Sequence, residues 1–261
     1  MSDNDTTGSL VTPNPWQALR QFTPARIALG RSGGSLPTAA RLSFQLAHAQ
    51  ARDAVYSALD LGDLKKQLQP LNLPVLNVQS AAPDRESYLL RPDLGRRLST
   101  RDAELLVARP KKEVDLAFVL ADGLSATAVQ RHAEPLLRLL LPQLEDWTLA
   151  PIVVATQGRV ALGDPVGKSL QAKHVAVLIG ERPGLSAADS LGIYLTQDPR
   201  PGRLDAERNC ISNVRPAGLS YNKAATQFYE LLEAARRYGC TGVALGQRRD
   251  RLETSPTDRL T

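Results

Sequence analysis

The chain has 261 residues, 43% of them hydrophobic and 23% charged, the proportions of an ordinary soluble globular protein. No run of about eighteen apolar residues occurs, which excludes a membrane-spanning helix. The net charge of +5 is spread among carboxylates, as in Asp205-Ala-Glu-Arg208, with no Lys/Arg tract interleaved with aromatics, so neither a nucleic-acid nor a membrane partner is expected.

Residues 1–24 are polar, carry prolines at 13 and 15, and read as a flexible N-terminus. They lack the basic and apolar regions of a secretory leader. Residues 25–109 read as a mainly helical segment. The Gly-rich stretch Gly30–Thr38 opens a helix on which Leu42, Leu46 and Ala49 share one face and Arg41, Gln45, His48 and Arg52 another. That stretch lacks both the Lys-Ser/Thr ending of a P-loop and G-x-G-x-x-G spacing. A tight turn or a subunit contact is its expected role. Helix is expected to continue over 60–70 and again from Arg96 to Ala108, with Tyr88-Leu-Leu90 a strand between them.

From Val114 short apolar runs alternate with helical patterns. Val114–Ala121, Ile152–Ala155, Val175–Ile179, Leu191–Leu195 and Thr241–Leu245 are expected strands, each bounded by Gly, Asp or Pro. Helices are expected near 125–146, broken by Pro135 and Pro142, and near 221–238, stopped by Gly239. Gly-Leu-Ser recurs at 123–125, 184–186 and 218–220, where serine could cap a helix start. The alternation predicts an α/β fold over 110–246, a Rossmann-like parallel sheet flanked by helices. Residues 247–261 read as a flexible C-terminal tail.

Function in such sheets gathers just after strand ends. Asp122-Gly123, Thr156-Gln-Gly-Arg-Val160 and Gly180-Glu-Arg-Pro-Gly184 all fall there. Glu181 stands out because Pro183-Gly184 fixes the loop behind it and its carboxylate can accept ligand hydrogen bonds; a salt bridge to a neighbouring arginine explains it equally well. Cys210 lies in a polar stretch with Arg208, Asn209, Ser212 and Asn213. An intracellular, reduced compartment is expected, with Cys210 and Cys240 unpaired. No histidine has metal-ligand spacing, so no metal site is expected. No G-x-S-x-G elbow supplies a hydrolytic nucleophile.

Several blocks carry a specific resemblance. Gly180-Glu-Arg-Pro-Gly-Leu, Ser190-Leu-Gly-Ile-Tyr-Leu-Thr196 and Asp205-Ala-Glu-Arg-Asn-Cys-Ile-Ser-Asn213, with Tyr88-Leu-Leu-Arg-Pro-Asp-Leu-Gly-Arg-Arg-Leu98 and Gly158-Arg-Val160, closely resemble the small (light) subunit of ethanolamine ammonia-lyase. The likeness runs over roughly residues 25–246. It implies a subunit of an adenosylcobalamin-dependent enzyme that converts ethanolamine to acetaldehyde and ammonia by radical chemistry. It also implies a hetero-oligomer in which the large subunit binds ethanolamine and this chain completes the cobalamin site with Val160, Glu181 and Cys210. None of His48, His132 or His174 stands in a D-x-H-x-x-G sequence, so the family's base-on adenosylcobalamin is expected. The family is associated with a bacterial microcompartment. The stretch before Arg26 shows no amphipathic targeting helix, and a cytoplasmic location is expected. A non-catalytic α/β nucleotide-binding or regulatory module is the alternative reading.

Overall fold

The computed structural model describes residues 10–253. Six strands form one sheet: β1 (Val75–Gln79), β2 (Val114–Ala121), β3 (Ile152–Thr156), β4 (Ala172–Gly180), β5 (Leu191–Gln197) and β6 (Arg208–Val214). Their order is β1-β3-β2-β4-β5-β6. The first four are parallel, while β4–β5 and β5–β6 pair antiparallel, so the expected parallel sheet carries a mixed edge. Strands β2 and β4 are buried almost end to end, as strands covered on both faces must be.

Among the described residues, eight α-helices accompany the sheet: α1 (Thr38–Tyr56), α2 (Leu61–Leu68), α3 (Arg85–Leu90), α4 (Thr100–Val107), α5 (Ala126–Leu140), α6 (Gly163–Ser169), α7 (Tyr221–Tyr238) and α8 (Val243–Glu253). One face packs against α2, α5 and α7 through Leu64, Leu136, Phe228 and Leu232. The other packs against α4 and α6 through Leu106 and Val166, with Leu162 from the turn before α6. Both helices expected from capping and periodicity after Val114 form, and α7 stops at Gly239, which takes φ +67°.

The differences from expectation have local causes. Tyr88-Leu-Leu90 is helical rather than extended, because the Asp84 carboxylate caps the Ser87 N–H at 2.7 Å and starts α3 there. Thr241–Leu245 is not a strand: Gly242 takes φ +73° and α8 begins at Val243. Helix α8 then runs through Glu253, past the point where a tail is expected. The sixth strand is β6, whose polar edge composition hid it. Strand β1 comes from the N-terminal segment and joins the sheet beside β3. Pro135 lies inside α5 without ending it, whereas Pro142 falls in the closing 3-10 turn. On α1 the buried side chains are Ala47 and Ala54, and Leu42 and Leu46 face outward. Ser125 and Ser220 do precede helices, but neither hydroxyl caps one, and Ser186 precedes none. Before α1, residues 17–22 form a 3-10 turn and Thr12 bridges to Arg31. Residues 1–9 of the expected flexible N-terminus, and 254–261 of the expected tail, lie outside the described residues.

Candidate functional site

Because β1, β3, β2 and β4 are parallel, their C-terminal ends form one edge of the sheet. Asp122 follows β2 there and reaches sideways to the loop after β3. Its carboxylate accepts the Gln157 N–H at 2.9 Å and the Gly158 N–H at 3.0 Å. Gln157 is held at φ +55°, so the carboxylate braces a bend that the chain would not favour alone. Burial pushes the Asp122 pKa up, against the pull of these donors and of Arg85, 3.9 Å away. The turn after β2 and the end of β4 approach so closely that a Cβ at Gly180 would lie 2.0 Å from the Ser125 carbonyl oxygen. Only glycine fits at that first position of the Gly-Glu-Arg-Pro-Gly loop.

The loop carrying Val160 is clamped from the other side by the Tyr88–Leu98 block. Buried Tyr88 donates its hydroxyl to the Gly158 carbonyl at 3.3 Å. The guanidinium groups of Arg159 and Arg85 lie 4.3 and 4.7 Å from its ring centroid. Burial pushes the Tyr88 pKa up to about 12, so the hydroxyl remains a donor at neutral pH. Arg159 donates its backbone N–H to the Gly95 carbonyl at 2.8 Å and its side chain to the Tyr88 carbonyl at 3.1 Å. Val160 opens the 3-10 turn that leads into α6 and packs, half-buried, on the same apolar cluster as Tyr194.

Glu181 leaves the end of β4 and lies over Gly192 of β5, where a Cβ would stand 3.0 Å from its Oε1. Three donors converge on its carboxylate: the hydroxyls of Ser190 and Ser212, and the Asn213 N–H at 3.1 Å. The equally weighted alternative, a salt bridge to a neighbouring arginine, is not what Glu181 makes among the described residues. Cys210 is exposed on β6, paired in register with Tyr194 of β5. Desolvation by the adjoining strands pushes its pKa up, and the Glu181 charge adds to this against a hydrogen bond from Tyr194. The thiol therefore stays protonated at neutral pH. Burial likewise raises the Tyr194 pKa.

Glu181 and Cys210 thus come together on one shelf of β5 and β6, with Val160 on the same side of the sheet at the end of β3. The shelf offers a fixed carboxylate, a neutral thiol and a tyrosine hydroxyl. Those are hydrogen-bonding groups around a partly apolar floor, not a nucleophile with its base. Ser190, Tyr194 and Ser212 complete the shelf; the sequence marked Ser212 only as a polar neighbour of Cys210 and singled out neither of the other two. Period-two alternation over Arg208–Val214 would have placed Ser212 beside Cys210 had the segment been read as a strand. The Gly30–Thr38 stretch stands apart as a tight turn in which Ser32 and Ser35 exchange backbone hydrogen bonds.

Farther down the same face, Arg208 and Asp164 form a buried ion pair. Two nitrogens of the guanidinium reach the two carboxylate oxygens at 2.7 Å each, and a further bond goes to Thr196 at 2.9 Å. Burial alone would lower the Arg208 pKa, but Asp164 more than reverses this and keeps the guanidinium charged. The pair ties the base of β6 to α6, directly after the Val160 turn.

Residues 13–246 match the family model described as ethanolamine ammonia-lyase light chain (EutC). The chain is 54% identical over 249 residues to the ethanolamine ammonia-lyase small subunit of Ralstonia nicotianae, covering 93% of this chain and 92% of that one. It is 56% identical over 242 residues to the small subunit of the same name from Azotobacter vinelandii, covering 91% and 90%. With the Pseudomonas syringae pv. tomato small subunit it shares 52% identity over 253 residues, covering 94% and 88%.

Proposed function

The chain belongs to the family of ethanolamine ammonia-lyase light chains, and from that premise we propose that it completes an adenosylcobalamin site with a large subunit that binds ethanolamine. Val160, Glu181 and Cys210 are the residues assigned to the cofactor, and the enzyme complex converts ethanolamine to acetaldehyde and ammonia. The observation that carries this reading is the open β5–β6 shelf. There Glu181, fixed by three donors beside the exposed Cys210, faces outward over a glycine whose missing side chain leaves it room.

The donor set suits a corrinoid. Such a group is broad, apolar in its ring and rimmed with amide N–H donors, and the shelf offers an apolar floor with fixed acceptors. When bound, adenosylcobalamin supplies a carbon-centred radical by homolysis of its cobalt–carbon bond. This chain's residues would bind and orient the group, and none of them is assigned a proton transfer. A cytoplasmic location is proposed; enclosure in a microcompartment is not part of the reading.

The test is co-expression with the large subunit and an adenosylcobalamin titration of acetaldehyde production. Glu181→Gln keeps the shape and one acceptor oxygen. It is expected to weaken cofactor affinity by about tenfold, the worth of one charge-assisted hydrogen bond, while turnover at saturating cofactor persists. Loss of turnover at saturation in an assembled complex would assign Glu181 a chemical role instead. A wild-type complex that makes no acetaldehyde would overturn the proposal.

A further inference from the structure

We infer that Ser190 and Ser212 are positioning residues that act on the ligand only through Glu181, restricting it to accept one further hydrogen bond from the cofactor; this rests on the proposed cobalamin role. A carboxylate offers about four acceptor positions. The Ser190 hydroxyl and the Asn213 N–H both fall on Oε2, and the Ser212 hydroxyl on Oε1. One position, on Oε1, is left for a ligand donor.

The three donors come from separate parts of the chain. Ser190 ends the loop that begins at Glu181 and is itself buried. The Glu181 backbone N–H donates to its carbonyl at 2.9 Å, so main chain and side chain register together. Ser212 and Asn213 arrive on β6, and Asn213 adopts φ +60°, a conformation uncommon outside glycine, while its N–H meets the carboxylate. Behind it, the Leu219 N–H donates to the Asn213 carbonyl at 2.8 Å, and Gly218 packs so close to Asn213 that a Cβ would lie 2.5 Å from that oxygen. Below the carboxylate, Gly192 supplies the space. Few side-chain torsions remain to be fixed when a donor binds, so less entropy opposes binding than for a free surface glutamate. A single open acceptor also selects the ligand: an N–H or O–H group is accommodated, and an anion is refused.

The prediction is a thermodynamic cycle on the complex with the large subunit, read by absorbance titration with hydroxocobalamin and by the adenosylcobalamin concentration giving half-maximal turnover. Ser212→Ala and the Ser190→Ala/Ser212→Ala pair should each weaken hydroxocobalamin binding, the pair by about tenfold. The half-maximal adenosylcobalamin concentration should rise in step. Ser212→Thr, which keeps the hydroxyl, should restore most of the affinity. In a Glu181→Ala background the same serine substitutions should change nothing further, because their only route to the ligand is gone. Serine effects that persist undiminished in that background, or a Ser190→Ala/Ser212→Ala complex binding like wild type, would overturn the positioning role and leave the proposed function intact. Wild-type binding by Glu181→Ala itself would instead remove Glu181 from the site. Should the double variant fail to assemble, Ser212→Ala alone, on the exposed strand, carries the same cycle.

Discussion

Replacing Asp122 tests whether the site is braced from beneath. The residue is 4% exposed and serves the backbone N–H groups of Gln157 and Gly158 at 2.9 and 3.0 Å. In Asp122→Ala both lose their acceptor. Gly158 is buried and pays the full penalty of an unsatisfied donor, about 1–3 kcal/mol; Gln157 is half-buried and can recruit water, so its share is smaller. Arg85 keeps the carbonyls of Gly123 and Val55 at 2.8 and 2.6 Å but loses the carboxylate 3.9 Å away, which adds to the cost. The total is roughly 2–4 kcal/mol. Asp122→Asn keeps one acceptor oxygen but turns an amide N–H toward the other donor, and should cost roughly half as much or more. Urea unfolding of the isolated chain measures both, as a lower midpoint at unchanged slope. Hydroxocobalamin titration of the complex should show weaker binding as well, because the Val160 loop loses its brace. A loss below about 1 kcal/mol for Asp122→Ala would refute the reasoning, since two buried bonds cannot be removed so cheaply.

Two further outcomes follow from buried ionisable groups. Arg208→Met strands the Asp164 carboxylate and should cost about 3–5 kcal/mol in urea unfolding, whereas Arg208→Met with Asp164→Leu should recover most of that; equal losses would show that packing, not charge, governs the site. Burial lowers the pKa of both His132 and His174, against the raising effects of Asp189 on the first and of Asp115 on the second, with Arg131, and then Arg236 and Lys173, adding to the lowering. The unfolded chain therefore takes up protons that the folded chain refuses. Stability should fall as pH drops from 7 toward 5, at a slope of at most about 1.4 kcal/mol per pH unit for each histidine. His174→Gln should flatten that slope in pH-dependent unfolding, and an unchanged slope would exclude His174 as a contributor.

Much of the architecture was legible because β2, β3, β4 and β5 are continuous apolar runs between turn residues, and α7 has both a periodic stripe and a glycine stop. What escaped did so for stated reasons. Strand β6 carries Arg208, Asn209, Ser212 and Asn213 because it lies at the sheet's edge, where one side is free, and its composition imitates a loop. Strand β1 sits amid helices in the sequence and earns its place only by pairing with β3, which no local pattern reveals. The apolar face read on α1 points outward because the smaller Ala47 and Ala54 make the contact. At the site, Glu181 stood out as a carboxylate just after a strand end and Cys210 as a thiol in a polar stretch, and the motif resemblance assigned both to the cofactor. That Ser190 and Ser212 serve Glu181 was not legible, because the donors to one carboxylate come from residues up to 32 positions away.

The placing of β1 has a consequence for how the chain is made. Strand β1 is synthesised before β3, its one neighbour in the sheet among the described residues, with Val75 opposite Ile152. Until β3 has been laid against β2, β1 has nothing to join, and the Tyr88–Leu98 block that follows has no Gly158 to grip. Strand β1 and the Tyr88–Leu98 block must therefore wait for sequence still inside the ribosome. Closing such distant parallel pairs is slow and leaves apolar segments open to wrong partners. A permuted chain that places β1 after β6 would carry the same strand pairing while letting β3 be made first. Its yield of soluble protein, compared with that of the natural order, would report how much the wait costs the cell.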